Sequence, residues 1–528
     1  MFRTGRPTAL AFNGMVATPH ALATAAGLEA LQAGGTAVDA VIAANAVLTV
    51  VYPDQTSIGG DCFLLVYDAK TGALTGLNGS GRAPMAADRA ALRAQFGRMP
   101  QRGIHAVTVP GTIDAWAKAS ERFGRLGLDR LLQRAIAHAR EGFPVTPNLA
   151  DSLAWAESVG GFNDEFRRIY LPGGAAPRPG DRLRLPELAA SLERIAREGR
   201  DAFYSGAIAE RILATSRQLG GTLAADDLAR HEAEWVEPAK TDYRGLTVAT
   251  MPPNSQGITV LIELNLAEQA VLGHWGTADH LHPLIEAKKR AFAIRDAELT
   301  DPAFRPIDVA RLTSKEFARE LWSDYDPTTA WRGQPALAGD TVYLCAVDRD
   351  GNAASMIQSV YLAFGSGVVA EGTGIILQCR GAYFSLEDDH PNRLEGGKRT
   401  LHTLMPSMLL KDGRLLGPIG TQGGDAQAQV QLQLITNLVD FGLDPQAAIE
   451  APRWVAGGGP GSDPRLVGLE GRFPDQTFSD LARRGHLVLR TSPWDVNFGH
   501  AQMILRDPDS GLLRGGADPR ADGVALGY

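Results

Sequence analysis

At 528 residues, 44% hydrophobic and 21% charged, the chain is long enough for two lobes or one large α/β body with a sizeable core. A net charge of −8 without a long basic run argues against nucleic acid or an anionic membrane as the main partner. Three widely spaced cysteines, Cys62, Cys345 and Cys379, suggest neither a disulfide framework nor a CxxC metal site, which fits a reduced, cytoplasmic protein.

The N-terminal stretch MFRTGRPTALAFNGM lacks the apolar core of a secretory signal. ATPHALATAAGLEALQAGG then has a polar start, Ala/Leu spacing and a Gly-Gly stop, which predicts a helix. A second helix follows in AVDAVIAANAVLTVVYP and ends at Pro53. Its apolar run, Ala40 to Val51, is too short to span a bilayer and holds Asn45, so it reads as buried. FLLVYDAKTGALTGLNG predicts a hairpin turning on DAKTG. Residues 110–330 read as helix-rich, and periodicity is lost over 326–340, the candidate linker. Strands return at 341: a hairpin on Asp350-Gly351, then GTGIILQ, then MPSMLLKDGRLLGPIG. DAQAQVQLQLITNLVDFG reads as a helix closed by Gly442, and the tail as three more strands. No GxGxxG follows a strand with an acidic residue downstream, and Asp388-Asp389-His390 reads as a solvated loop, so neither cofactor nor metal is expected.

The linker ends on Gly-Asp directly before Thr341, the first residue of an apolar strand. A threonine hydroxyl needs an adjacent base to act as a nucleophile, and a threonine that begins a chain carries one in its own amine. With a reference pKa of about 7.7–8.0, against about 10.4 for lysine, an α-amine is partly neutral near pH 7. A loop that can be cut before Thr341 would expose such a group; the plain alternative is a β-forming residue opening a strand. In GPIGTQGGDAQAQVQ, Gly423 and Gly424 stand between a strand and a helix. Backbone N–H groups there suit an oxyanion, although a simple strand-to-helix turn also favours Gly-Gly-Asp.

The sequence resembles the γ-glutamyltranspeptidases, self-cleaving N-terminal-nucleophile (Ntn) hydrolases, nearly end to end. GGTAVDAVIAANAVLTVVYPDQTSIGGDCFLLVYDAKTG is similar to the family's N-terminal signature. HAVTVPGTIDAW, DAFYSGAIAERI and DYRGLTVATMPPNSQG resemble its middle. DTVYLCAVDRDGNAASMIQS, GKRTLHTLMPSMLLKDG, GTQGGDAQ, EAPRW and GADPRADGVALGY resemble its small subunit. The resemblance implies an α+β fold, a four-layer αββα sandwich built by two subunits of one precursor. Cleavage between Asp340 and Thr341 would give a large subunit, 1–340, and a small one, 341–528, as an αβ heterodimer or a pair of them. Thr341 matches the nucleophile, Ser359 the residue that orients it, and Gly423 and Gly424 the oxyanion pair.

The γ-glutamyl pocket departs from the family. Ser80 stands where the arginine of an (F/A)RE(x)AP stretch is expected, with Arg82 displaced by two. Tyr361 replaces an asparagine, Arg380 and Tyr383 stand in for a (Q/E)-x-x-D pair, and His402-Thr403 replaces two serines. An α-ammonium placed beside a guanidinium without an acidic partner costs several kcal/mol. Arg380 instead favours a substrate with a carboxylate and no nearby amine, unless it pairs with Glu387, Asp388 or Asp389. The pattern is similar to the branch of the superfamily containing oxamate amidohydrolase and cephalosporin-acylase-like proteins. The expected activity is hydrolysis of a small carboxylate-bearing amide; the rivals are a γ-glutamyltransferase or glutathione hydrolase with a rebuilt pocket, and an unprocessed binding protein.

Overall fold

The computed structural model describes residues 5–331, 340–457, 463 and 465–528. Two seven-stranded antiparallel sheets carry the fold. The first runs Val524–Gly527, Met15–Thr18, Asp340–Val347, Ala353–Tyr361, Asp61–Asp68, Ala73–Gly79, Glu234–Val236. The second runs Ala9–Ala11, Leu513–Ala517, Ala501–Arg506, Arg414–Thr421, Ser407–Lys411, Leu246–Thr250, Ala239–Tyr243. Each sheet takes strands from both sides of residue 340.

Side chains alternate between the two faces of a strand, and here both faces are buried, which explains the nearly continuous apolar runs. Phe63, Leu65, Tyr343 and Cys345 point inward and meet Met408 and Ile504 of the opposite sheet. Their neighbours Leu64, Val66, Val342 and Leu344 point outward onto the helical layer that contains Ala37–Val51. On the far side, Val248, Leu409 and Ile419 pack against helices Ile258–Ala267 and Ala426–Val439. The result is the four-layer αββα arrangement.

Helix Ala37–Val51 is buried along its whole length, as its composition predicts. Thr36 and Asp39 cap its N-terminus reciprocally, and Asn45 Oδ1 accepts a bond from Trp116 Nε1 at 3.0 Å, which satisfies its amide oxygen. The hairpins Asp61–Asp68/Ala73–Gly79 and Ser407–Lys411/Arg414–Thr421 form where turn residues predict them, the second on Asp412-Gly413, both at positive φ.

Elsewhere the structure corrects the reading. Among the described residues the segment read as helix-rich also holds five strands, two of them turning on Arg244-Gly245 (φ +50 and +81), a turn that lacks the Asn or Asp which usually signals it. GTGIILQ contributes only the two-residue strand Ile375–Ile376. Leu487–Thr491 joins a separate three-stranded sheet. Of the linker expected over 326–340, residues 332–339 lie outside the described residues. The preceding stretch is anchored: Ala330 N donates to Arg484 O at 2.6 Å and Trp331 N to the Glu286 carboxylate. Among the described residues no helix is long and apolar enough to cross a membrane.

Candidate active site

Thr341 is the second residue of strand Asp340–Val347 and is fully buried. It sits at a bulge. Asp340 pairs with Tyr361 but Val342 with Gln358, so Ser359 and Val360 together oppose Thr341. The bulge leaves Tyr361 at φ +81, a costly backbone for an aromatic residue, and turns the Ser359 hydroxyl toward the strand end. Thr341 Oγ1 donates to Ser359 Oγ at 3.3 Å, and Ser359 Oγ also accepts from Tyr361 N at 2.7 Å. Gly60 permits this packing, because a Cβ there would stand 2.2 Å from the Ser359 carbonyl oxygen.

Arg380, in the short turn Arg380–Tyr383, is completely buried beneath this pair. Nη1 donates to Thr403 Oγ1 at 3.0 Å, Nη2 reaches Ser359 Oγ at 3.5 Å, and Nε has no partner among the described residues. The guanidinium lies 4.5 Å from the centre of the Tyr361 ring. Burial lowers its pKa from the usual arginine range, opposed by the charge of Asp61. No carboxylate among the described residues lies within ion-pair distance of it. Asp388, one of the partners considered above, is instead held by Arg89 and Arg93 on the surface.

His402 Nε2 donates to Asp61 Oδ2 at 2.9 Å while Nδ1 accepts from Leu404 N at 3.2 Å, which assigns the neutral Nε2–H form. Burial, then the Arg380 charge, pushes its pKa down to about 4. Asp61 accepts also from Gly81 N and Gln378 Nε2. A titration prediction follows. The unfolded chain protonates this histidine near pH 6.5 and the folded chain only near 4, so its contribution is complete above 6.5 and fades as pH falls toward 4. Relative to wild type, His402→Gln should therefore gain stability on the order of 1–3 kcal/mol between pH 7 and pH 4, read from paired melting curves.

Tyr383 stacks edge-on against Tyr361, ring centres 5.6 Å apart, and its hydroxyl donates to Asp425 Oδ1 at 2.9 Å. Asp425 also pairs with Arg295, whose Nη1 reaches Gln256 Oε1 at 2.9 Å; Gln256 Nε2 in turn binds Thr403 O and Gly424 O. Burial raises the Asp425 pKa against the pull of Arg295, and its Oδ2 has no partner among the described residues. A cleft of about 450 Å³ opens on this side, lined by Arg98, Arg295, Asp296, Tyr383, Glu387 and His390.

Gly423 (φ +123) and Gly424 (φ +53) form the turn between strand Arg414–Thr421 and helix Ala426–Val439. Both conformations disfavour side chains. Among the described residues neither N–H donates to a protein acceptor, and both lie at the N-terminus of a 14-residue helix, a place that favours developing negative charge.

Of the residues expected in the site, Thr341, Ser359, Tyr361, Arg380 and Thr403 are brought into contact. Tyr383 touches Tyr361, and His402 lies behind Thr403. Ser80 is buried to one side, its hydroxyl bonded to Asn78 Oδ1 at 2.6 Å. Arg82 is a correction: it is partly exposed and bound to Glu234, Asp301 and Gly397 O. Arg399, which the sequence reading passed over, packs against Ser80 instead, its Nε on Ser80 O at 3.0 Å. Also passed over were Asp425, Arg295, Gln256 and Gln55. Only Asp425 carried a signal, being next to the glycine pair. The group of metal-ligand type found among the described residues, His282, Glu286 and His486, lies outside this site, and Lys289, Arg290 and Trp331 N occupy its carboxylate.

Two stacked sheets between helical layers, with a threonine at the head of a central strand and a glycine pair at the start of helix Ala426–Val439, fit an Ntn-type amidohydrolase. The chain belongs to the gamma-glutamyltranspeptidase family, whose profile matches residues 23–528. It is 42% identical over 517 residues to the glutathione hydrolase-like YwrD proenzyme of Bacillus subtilis, covering 97% of this chain and 98% of that one. It is 38% identical over 525 residues to the oxamate amidohydrolase proenzyme of Klebsiella pneumoniae, covering 98% of each. The crystal structure of cephalosporin acylase from Bacillus halodurans matches with a TM-score of 0.94 at 41% identity, over 100% of this chain and 98% of that one.

Proposed function

We propose that the protein cleaves itself before Thr341 and then hydrolyses a small amide that carries a carboxylate, of the oxamate kind. In processing, the Thr341 hydroxyl adds to the Asp340 carbonyl carbon and the peptide C–N bond breaks. Water then hydrolyses the resulting ester, leaving the Asp340 carboxylate and a free Thr341 amine. In turnover the same oxygen attacks the substrate amide and the amine takes its proton. The amine then gives that proton to the departing nitrogen, and water releases the acid from the acyl ester. Gly423 and Gly424 N–H groups hold the oxyanion, each contributing about 2.7–4 kcal/mol of barrier reduction. Ser359, held by Tyr361 N, aims the Thr341 hydroxyl.

The observation that carries the substrate class is Arg380. A buried guanidinium that bonds two hydroxyls and, among the described residues, has Nε open and no carboxylate within ion-pair distance is suited to a substrate carboxylate. His402 is neutral and does not compete, and Tyr361 and Tyr383 narrow the space to a small acyl group. The Klebsiella relative's name agrees with this reading.

Asp425 favours a second reading, γ-glutamyl hydrolysis. It supplies, from another position, the carboxylate that Tyr383 displaces, and its open Oδ2 suits an α-ammonium. Assaying the processed protein on oxamate and on a γ-glutamyl anilide decides between them. Faster turnover of oxamate is expected; faster turnover of the anilide would reverse the assignment.

A further inference from the structure

Gln55 lies in the connection between helix Ala37–Val51 and strand Asp61–Asp68, and no step above uses it. The residue is 8% exposed, and both ends of its side-chain amide are taken. Nε2 donates to Asp54 Oδ2 at 3.0 Å, an oxygen that also accepts from Ser152 Oγ at 2.9 Å. That contact fixes the other end. Oε1 faces inward and accepts from Thr341 N at 3.3 Å and from Gln422 Nε2 at 3.3 Å. Gln422 directly precedes Gly423, so one oxygen joins the nucleophile's nitrogen to the loop that carries the glycine pair.

We propose that Gln55 is the positioning residue for the Thr341 nitrogen, as an amide before cleavage and as an amine afterwards. This rests on Thr341 being the nucleophile. A neutral amine has two hydrogens and one lone pair, and it works as a base only when the lone pair faces its own hydroxyl. Left alone it rotates among three staggered positions. Accepting one N–H at Gln55 Oε1 reserves that position for a hydrogen and confines the lone pair to the other two, one of which faces Thr341 Oγ1. The bond from Gln422 holds the glycine turn in register with it. No proton passes through Gln55, since a carboxamide does not titrate near neutral pH. Asp54, whose own pKa burial raises, serves to orient the amide.

The test compares Gln55→Leu with Gln55→Glu in the full chain. Leucine removes the acceptor at similar volume. Glutamate keeps an oxygen facing Thr341 N and, when protonated, donates to Asp54. For Gln55→Leu we expect kcat to fall by roughly 10- to 100-fold, with KM changed less than about threefold and fragment formation slowed. Gln55→Glu should restore most of kcat. The proposal is overturned if Gln55→Leu keeps kcat within about twofold of wild type, if the loss falls in KM, or if both variants are equally impaired. Should Gln55→Leu melt far below wild type, the glutamate variant decides: activity near wild type supports the proposal and collapse of kcat at unchanged melting overturns it. Full activity in Thr341→Val would instead overturn the underlying nucleophile assignment, whatever the Gln55 variants do.

Discussion

Replacing Thr341 with valine abolishes turnover, by four orders of magnitude or more on the scale of about 10⁴–10⁶ seen when a catalytic nucleophile is removed. Valine keeps the shape and β preference of threonine in a fully buried strand position, so the fold persists. Two functions disappear together, the attack on Asp340 and the attack on substrate. On a denaturing gel the variant runs as one species near 56.3 kDa, whereas wild type resolves into fragments 1–340 and 341–528. Fragments from the variant, or activity in it, would remove the basis of the functional reading. A wild-type chain that stayed whole and inert would make the protein a non-catalytic member of its family.

Arg380→Met lowers kcat/KM on a carboxylate-bearing amide by roughly 10²–10³-fold, the range for removing one member of a buried hydrogen-bonded charge pair. Oxamide, which replaces the carboxylate of oxamate with a second amide, separates recognition from general damage. Wild type should prefer oxamate strongly, and the variant should lose that preference. Stability moves the other way. Among the described residues Arg380 has no carboxylate partner, so folding bears its desolvation, and methionine relieves that cost. Equal or higher melting temperature combined with lost discrimination marks a residue kept for its ligand. Lower melting temperature with discrimination intact would make Arg380 a structural residue and return the choice to the γ-glutamyl reading.

What the sequence made legible was local or carried by order along the chain. The buried helix Ala37–Val51 followed from composition, caps and length. The contact between Thr341 and Ser359 follows from a hairpin turning on Asp350-Gly351, which sets the two residues opposite each other at the strand ends. The position of Gly423 and Gly424 at a helix start follows from their flanking periods. Hidden were contacts that exist only after the sheets stack. Arg380 meets Thr403, Asp61 meets His402 and Gln55 meets Thr341, pairs separated by 23, 341 and 286 positions respectively. Spacing alone carries no record of such pairs. Arg399, 319 positions from Ser80, was passed over for the same reason, while Arg82, near Ser80 in sequence, is bound by Glu234 and Asp301 instead.

The strand that begins at Asp340 lies between Met15–Thr18 and Ala353–Tyr361, one neighbour from each side of the scission point. The proposed scission there would convert a single polypeptide into two that interlock without ever having had to find one another. Folding is unimolecular beforehand; recovery from complete denaturation afterwards is bimolecular and diluted by every increase in volume. Such a cut would act as a ratchet: the working molecule would be assembled once, and its durability would be a lifetime against opening.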